Sequence, residues 1–256
     1  VESYRRGVQQ NPDQPAHAAP AFSCKEDCIQ IAVDSDMFQN REDAGRKLAY
    51  FLDPLHLESP VVLALPRGGV PVAAEVAKHL GTELDIVVAR KLGAPEYPEF
   101  GIGAISEDEL PLFSQDAQPY LLYQKRKVFE GVASEIAELR RRIARYRDAH
   151  ALPPVKGRTV LLIDDGIATG VTAAAAAKFL RSLGPQKIIM AAPVGPRERN
   201  PWLEKYFDEV ICLERPEGFR AVGNWYHDFT QVEDDEVARI LKQFHSEKEL
   251  YGHLSA

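Results

Sequence analysis

Val160-Leu161-Leu162-Ile163-Asp164-Asp165-Gly166-Ile167-Ala168-Thr169-Gly170-Val171-Thr172 is the stretch from which the fold can be read. Its first four residues form an unbroken apolar run, which reads as a strand buried on both faces. The alanine-rich run over 173–183 predicts a helix, closed by Gly184-Pro185. Between strand and helix lies a short turn of glycines, small residues and hydroxyls. The first amides of a helix lack partners within it, and the helix dipole places partial positive charge there, so this order of elements makes an anion site. Gly166 and Gly170 allow the backbone to come close, and Thr169 and Thr172 can each donate a hydroxyl hydrogen bond to a phosphate oxygen.

Two adjacent carboxylates would repel a bare phosphate, so Asp164 and Asp165 must serve another part of the ligand. Carboxylates accept hydrogen bonds from vicinal hydroxyls and bind Mg²⁺ directly or through its waters. A phosphate at the helix start with hydroxyls close by describes a ribose 5-phosphate.

Residues 163–172 resemble the phosphoribosyl-pyrophosphate (PRPP) loop of the type I phosphoribosyltransferases in both acids, the Ala168-Thr169-Gly170 core, Thr172 and the flanking strand and helix. An ordinary strand-to-helix turn carrying a metal-binding aspartate would not require the hydroxyls and glycines beyond the acids. Upstream, the buried run 61–65 ends in Pro66-Arg67-Gly68-Gly69-Val70-Pro71 and continues as a helix over 72–80. The amides of Gly68 and Gly69 can wrap an anion and Arg67 can add charge-assisted bonds, although glycines serving only close packing would look the same. In the resembled family this turn holds the pyrophosphate of PRPP, often through a non-proline cis peptide, which the resemblance places at Pro66–Arg67. Residues 84–89 read as the next strand, ending at Arg90-Lys91, where open α/β sheets bind ligands. Basic residues of the family meet the pyrophosphate at this point, and Arg90 and Lys91 resemble that arrangement; a solvated strand end is the alternative.

Composition places the chain among soluble globular proteins, with 256 residues, 45% hydrophobic and 27% charged. A formal charge of −7 argues against a nucleic-acid surface over the whole molecule. There is no apolar run long enough for a membrane span and no signal-like start, so a cytoplasmic location is expected. The chain begins at Val1, which leaves room for an upstream segment. The three cysteines, Cys24, Cys28 and Cys212, cannot build a disulfide framework, and a zinc site would need His17 or another distant ligand; reduced thiols are expected.

The remaining segments fit around these loops. Residues 1–35 read as a weakly ordered extension, with a short edge strand at 29–33. A helix over 37–52 is capped by Asn40, and Arg41 and Arg46 on it read as solvated charges. The stretch 93–150 is an insertion: a hairpin with a short strand over 102–105, then one long helix or two joined ones over 120–150. By resemblance the hairpin is a mobile cover, with Glu99, Glu107 or Asp108 as its candidate acids. Arg140, Arg141, Arg142, Arg145 and Arg147 form a basic cluster, read as solvated or as a subunit contact. Strands follow at 187–192 and 210–213. A cap loop at 214–231 crowds Phe219, Trp225, Tyr226 and Phe229 into polar sequence; such rings would stack a heterocyclic acceptor or fasten the loop to the core. The main domain is expected over 36–245 and a tail over 246–256.

These pieces predict an α/β fold, a parallel sheet of about five strands with helices on both faces. The resemblance extends over 37–241 and is closest to predicted phosphoribosyltransferases with a Leu-Pro-Arg-Gly-Gly loop. It implies transfer of a 5-phosphoribosyl group between PRPP and a nitrogenous acceptor, with Mg²⁺ as cofactor and pyrophosphate released. Gly166, Ala168, Thr169, Gly170 and Thr172 would hold the 5-phosphate. Asp164 and Asp165 would hold the ribose hydroxyls and Mg²⁺, with Lys91 as a further catalytic residue. Arg67, Gly68, Gly69 and Arg90 would take the pyrophosphate, and Phe219, Trp225 and Tyr226 the acceptor. The rival is a catalytically silent PRPP- or nucleotide-sensing module that uses the arginine-rich helix as its contact surface. A homodimer through the long helix is also expected.

Overall fold

The computed structural model describes residues 37–252 apart from Ser59 and Ala149, and for 247–252 the backbone alone. The expected extension, the strand at 29–33 and the Cys24, Cys28 and His17 grouping lie outside the described residues.

In chain order the elements are α1 (Arg41–Leu52), β1 (Val61–Ala64), α2 (Gly69–Leu80), β2 (Leu84–Ile86), β3 (Arg90–Ala94), β4 (Tyr97–Ile105) and β5 (Leu112–Phe113). There follow α3 (Gln118–Tyr123), α4 (Lys125–Arg147), β6 (Thr159–Ile163), α5 (Val171–Ser182), β7 (Lys187–Val194), α6 (Pro201–Glu204), β8 (Glu209–Glu214) and α7 (Asp234–Gly252). Five strands make a parallel sheet in the order β2-β1-β6-β7-β8. Because successive strand side chains alternate faces, Leu161 and Ile163 enter one core with Leu48, Val72, Val76 and Leu241 from α1, α2 and α7. Val160 and Leu162 enter the other with Ala173, Ala177 and Leu180 of α5 and Met190 of β7. Both faces are covered, so the run had to be apolar without interruption; each fully buried branched side chain contributes about 1.5–3 kcal/mol.

α1 begins where Asn40 Oδ1 accepts the Asp43 amide at 2.8 Å, the expected cap. The long helical region is two helices, with the break at Gln124.

Two expectations about the insertion change. The strand read over 84–89 stops at Ile86; the Val87 amide still donates to the Ala64 carbonyl at 3.0 Å, and from the fully buried Val88 on the chain leaves the sheet. The chain crosses there into a second, antiparallel sheet, β3-β4-β5, whose first residues are Arg90 and Lys91. A buried crossing and a buried strand have the same apolar signature, so the pattern could not separate them. The short strand read over 102–105 begins instead at Tyr97 and runs through Pro98, Gly101 and Gly103, with shifts of register between Leu92 and Ala94. This small sheet packs on α4 through Leu92, Ala94 and Ile102 against Val128 and Val132, and on α5 through Ala104 against Val171 and Ala175.

The arginine cluster is solvated only in part: Arg140, Arg141 and Arg145 are exposed as expected but ion-paired, Arg142 is half-buried, and Arg147 departs from the expectation. Arg147 is buried and spans β2, α4 and the turn after β4: it donates to Glu107 Oε2 at 2.6 Å and to the Ile86 carbonyl at 2.6 Å, and lies 3.4 Å from Asp85 Oδ1. Arg140 forks onto Glu109, Arg141 and Arg142 share Glu138, and Arg145 reaches Asp235. Burial pushes the Asp85 carboxyl above the usual range in spite of Arg147 beside it.

Candidate active site

β1 and β6 are hydrogen-bonded neighbours, with Ala64 opposite Ile163, so their following loops leave the sheet side by side at its carboxyl end. The Leu65 amide continues the ladder to the Ile163 carbonyl at 2.8 Å. The first loop then turns at once into α2, and the Pro66–Arg67 peptide is cis, where the resemblance places it. Gly68 lies directly against the acid pair: a Cβ there would stand 1.9 Å from Asp165 Oδ2, and one on Gly69 would stand 2.9 Å from the Asp164 Cα. The backbone can approach the carboxylates this closely only without side chains at both positions.

Asp164 and Asp165 sit at the tip of β6. The Asp165 amide donates to Asp164 Oδ1 at 2.9 Å. Burial, and then the charge of Asp165, push the Asp164 carboxyl well above the usual range. Burial raises Asp165 as well, but the Arg41 guanidinium beside it opposes that shift. Arg41 Nε donates to Asp165 Oδ2 at 2.9 Å, its Nη1 donates to the Thr230 carbonyl at 2.8 Å, and its guanidinium lies 3.9 Å from the centre of the Phe229 ring. The expectation that Arg41 is a solvated charge is therefore wrong: the residue is 8% exposed. Arg46 on the same helix is exposed as expected, with only long ion pairs to Asp43 and Glu75. Sequence reading missed Arg41 because its partner lies 124 residues away. Its place at the first turn of a helix ahead of the first strand was the one signal offered.

The second loop is longer. Ile167 donates back to the Val194 carbonyl at 2.8 Å, after which Ala168 and Thr169 are exposed. Gly170 caps α5 with a φ of 73°, a conformation that side chains disfavour. Among the described residues, the amides of 168–172 donate to no other group. The Thr172 side chain is half-buried at the helix start, and the Thr169 carbonyl accepts from Asn200 Nδ2 at 3.3 Å. The arrangement is a row of open donors at a positive helix end, beginning three residues past a carboxylate pair.

The other expected site residues are placed less centrally. Arg67 Nη1 lies 3.4 Å from Asp234 Oδ1 and 3.7 Å from Glu233 Oε2, so α7 and the residue before it hold the cation of the first loop. Arg90 donates to Glu135 Oε2 at 2.7 Å and Lys91 Nζ to the Glu99 carbonyl at 2.5 Å. Both line a cavity of about 620 Å³ between the small sheet and α4, with Glu130, Val132 and Glu135 opposite. They are thus at the root of the insertion and not at the end of a parallel strand. Of the insertion's acids, Glu107 is spent on Arg147 and the Val88 amide. In the cap loop Tyr226 is buried at 4%, with ring centres 5.3 Å from Phe38 and 5.1 Å from Phe229. Its hydroxyl donates to the Asp165 carbonyl at 2.6 Å, and burial pushes its pKa up from the ordinary tyrosine value. Phe219 and Trp225 pack partly exposed against the same cluster. Tyr226 thus fastens the loop, while Phe219 and Trp225 are half-buried.

Among the described residues no three His, Cys, Asp or Glu side chains cluster to hold a metal by themselves. Two adjacent carboxylates beside a phosphate-binding loop fit Mg²⁺, which is commonly held by one or two carboxylates with waters and substrate phosphates. No helix among the described residues is long and apolar enough to cross a membrane.

Comparison with known proteins bears on this site. Residues 35–237 match the family described as the phosphoribosyl transferase domain. Two Mycobacterium tuberculosis proteins, from strains CDC 1551 and H37Rv and each provisionally named a phosphoribosyl transferase, are 42% identical over 220 residues, which is 86% of this chain. The chain spans about half the length of these relatives, 50% of each. The crystal structure of TT1426 from Thermus thermophilus superposes with a TM-score of 0.67 at 42% identity, covering 81% of this chain and 99% of that one.

Proposed function

The chain belongs to the phosphoribosyl transferase domain family, and from that premise we propose that it moves a 5-phosphoribosyl group between PRPP and a nitrogenous acceptor, a nucleobase, and releases pyrophosphate. The observation that carries this reading is the seating of Gly68 and Gly69 on Asp164 and Asp165. One ligand placed there has a pyrophosphate-sized anion on the first loop, a diol at the acids and a monophosphate on the amides of 168–172.

In this reading the C1–oxygen bond to pyrophosphate breaks with its electron pair, and the acceptor nitrogen bonds to C1 and gives up a proton. No side chain of the chain needs to act as nucleophile. Thr169, Gly170 and Thr172 anchor the 5-phosphate, with Gly166 and Ala168 shaping the loop. Asp164 and Asp165 accept from the ribose hydroxyls and lie beside the carbon that gains positive charge, an electrostatic and orienting role. Gly68, Gly69 and Arg67 receive the pyrophosphate; Arg67 has to exchange its carboxylate partners, Glu233 and Asp234, for it. Mg²⁺, held by Asp164 and Asp165 directly or through water together with PRPP oxygens, would supply neutralising charge to the leaving group. Arg90 and Lys91 fit this scheme only if the small sheet closes, which agrees with a covering role that excludes water. Phe219 and Trp225 offer the faces on which an acceptor ring would stack.

The sensing alternative assigned its contact surface to the arginine cluster, and that cluster is matched by carboxylates of the same chain. This supports the enzyme reading. The test is Asp164→Asn combined with Asp165→Asn, assayed for pyrophosphate release from PRPP with Mg²⁺ and a panel of nucleobases. Release by the wild type and none by a folded double variant is the expected result; equal release by both would sink the proposal.

A further inference from the structure

Arg41 is a buried cation that the loop reading leaves without a role. It is the N-terminal residue of α1, yet its guanidinium reaches both the acid loop and the cap loop. Nε is bonded to Asp165, Nη1 to the Thr230 carbonyl, and the flat face is covered by Phe229. A Cβ on Gly68 would lie 3.2 Å from the Arg41 Nε, so the guanidinium also borders the first loop. The Tyr226 hydroxyl, in turn, holds the Asp165 main-chain carbonyl at 2.6 Å. Asp165 is therefore gripped twice, once by its side chain and once by its backbone. Both grips are tied to residues 226–230 of the cap loop.

From this geometry we infer that Arg41 is a positioning residue for phosphoribosyl transfer: it fixes the direction of the Asp165 carboxylate and couples it to the acceptor-side cap loop. The inference rests on the function proposed above and extends it to a residue of α1. Charge alone would not explain the arrangement. A guanidinium is a planar fork with donors in fixed directions, so one side chain can bridge a carboxylate and a carbonyl while an aromatic ring stacks on its face. An ammonium group has neither the fork nor the face. Any movement of 228–230 on acceptor binding is transmitted to Asp165 through a single rigid group, and the Tyr226 hydroxyl moves with it.

The experiment compares Arg41→Met, Arg41→Lys and Phe229→Leu with the wild type, using Arg46→Met on the exposed side of α1 as control. Three quantities are read: the pyrophosphate release rate at saturating PRPP, PRPP affinity by calorimetry with Mg²⁺, and the thermal midpoint. Arg41→Met is expected to lower the saturated rate by at least about tenfold, with PRPP affinity falling less, because misdirection of Asp165 is felt most when C1 is charged. Arg41→Lys should recover part of that rate, Phe229→Leu should lose about threefold, and Arg46→Met should match the wild type. A wild-type saturated rate in Arg41→Met overturns the inference. So does a rate lost only in step with the thermal midpoint and not recovered by lysine. If Arg41→Met does not fold, Arg41→Lys and Phe229→Leu decide, and unchanged rates in both overturn it. If the wild type binds PRPP without turnover, affinity decides alone: weakening in Arg41→Met supports the inference and equality ends it. A wild type that neither binds nor turns over PRPP removes the underlying reading, and this inference with it.

Discussion

The loops after β1 and β6 are built on the same plan, a buried parallel strand running through glycines into a helix, yet they do opposite things. The first is short: α2 starts at Gly69, five residues after β1 ends. Its backbone is pressed against another part of the protein, and its one charge is held by Asp234 and Glu233. The second takes seven residues between Ile163 and Val171, and its amides at 168–172 point at no protein group among the described residues. In the first loop both glycines are spacers; in the second Gly166 is a spacer against Val222, while Gly170 supplies the left-handed cap of α5. Substitutions of the same kind should therefore fail for different reasons.

The largest effect is expected at Gly68. An added methyl group would overlap Asp165 Oδ2 at 1.9 Å, with Arg41 behind it at 3.2 Å, so the carboxylate or the whole loop must shift. Gly68→Ala should cost about 1–3 kcal/mol of stability and abolish measurable PRPP binding by calorimetry. Near-native binding would mean that the two loops are not one site. Gly170→Ala is the matched change in the second loop. Its φ of 73° costs a side chain about 1–2 kcal/mol, and the new Cβ would press on the buried Leu203 side chain at 2.6 Å, not on a carboxylate of the site. The protein should fold with a midpoint lower by a few degrees and with PRPP affinity reduced but present.

How these loops read in sequence follows the same division. The second loop was legible because its chemistry is local: acids, hydroxyls and the Gly170 cap are contiguous in the chain. The first was legible as a glycine turn, but the reason for Gly68 lies almost a hundred positions further along, at Asp165. Arg41 was misread for a like reason, since a charged residue in a first helical turn has the same local pattern whether solvent or a distant carboxylate faces it. The buried Arg147, Asp85 and Glu107 group was hidden in the same way inside a run of arginines. Arg90 and Lys91 were assigned to a strand end because Val87, Val88 and Ala89 look like strand; only Val87 still bonds to β1, through the Ala64 carbonyl, and the point where a buried segment leaves its sheet leaves no mark in composition. Tyr226 stood out correctly as part of an aromatic cluster, but aromatic content could not say which ring faces inward.

Next in size are the hydroxyls. Thr169→Ala and Thr172→Ala each remove one donor from the proposed 5-phosphate seat and leave the open amides in place. Each should weaken PRPP binding by about five- to tenfold, which corresponds to roughly 1–1.5 kcal/mol for one hydrogen bond. Stability should be unaffected, since neither hydroxyl bonds another group among the described residues. An equal loss of affinity for ribose 5-phosphate and for PRPP would locate the effect at the monophosphate. A loss for pyrophosphate instead would exchange the roles of the two loops.

The smallest effect concerns stability and has the opposite sign. Asp164 is held by burial and by Asp165 well above the usual carboxylate range. A carboxyl raised in the folded state binds its proton more tightly there than in the unfolded chain. Its contribution to stability is therefore complete below the ordinary aspartate value and is lost as pH rises through the raised one. Asp164→Asn keeps an oxygen to accept the Asp165 amide and removes the charge that the folded site resists. Without ligand or Mg²⁺, the variant should unfold at a higher temperature than the wild type at neutral pH, and the difference should shrink as pH falls toward the ordinary aspartate range. Thermal unfolding between about pH 4 and 8 measures it. A wild type more stable than the variant at neutral pH would mean that Arg41 more than offsets the burial of the pair, and that the acid loop, like the glycine loop, is held in place by packing and not kept under electrostatic tension for a ligand.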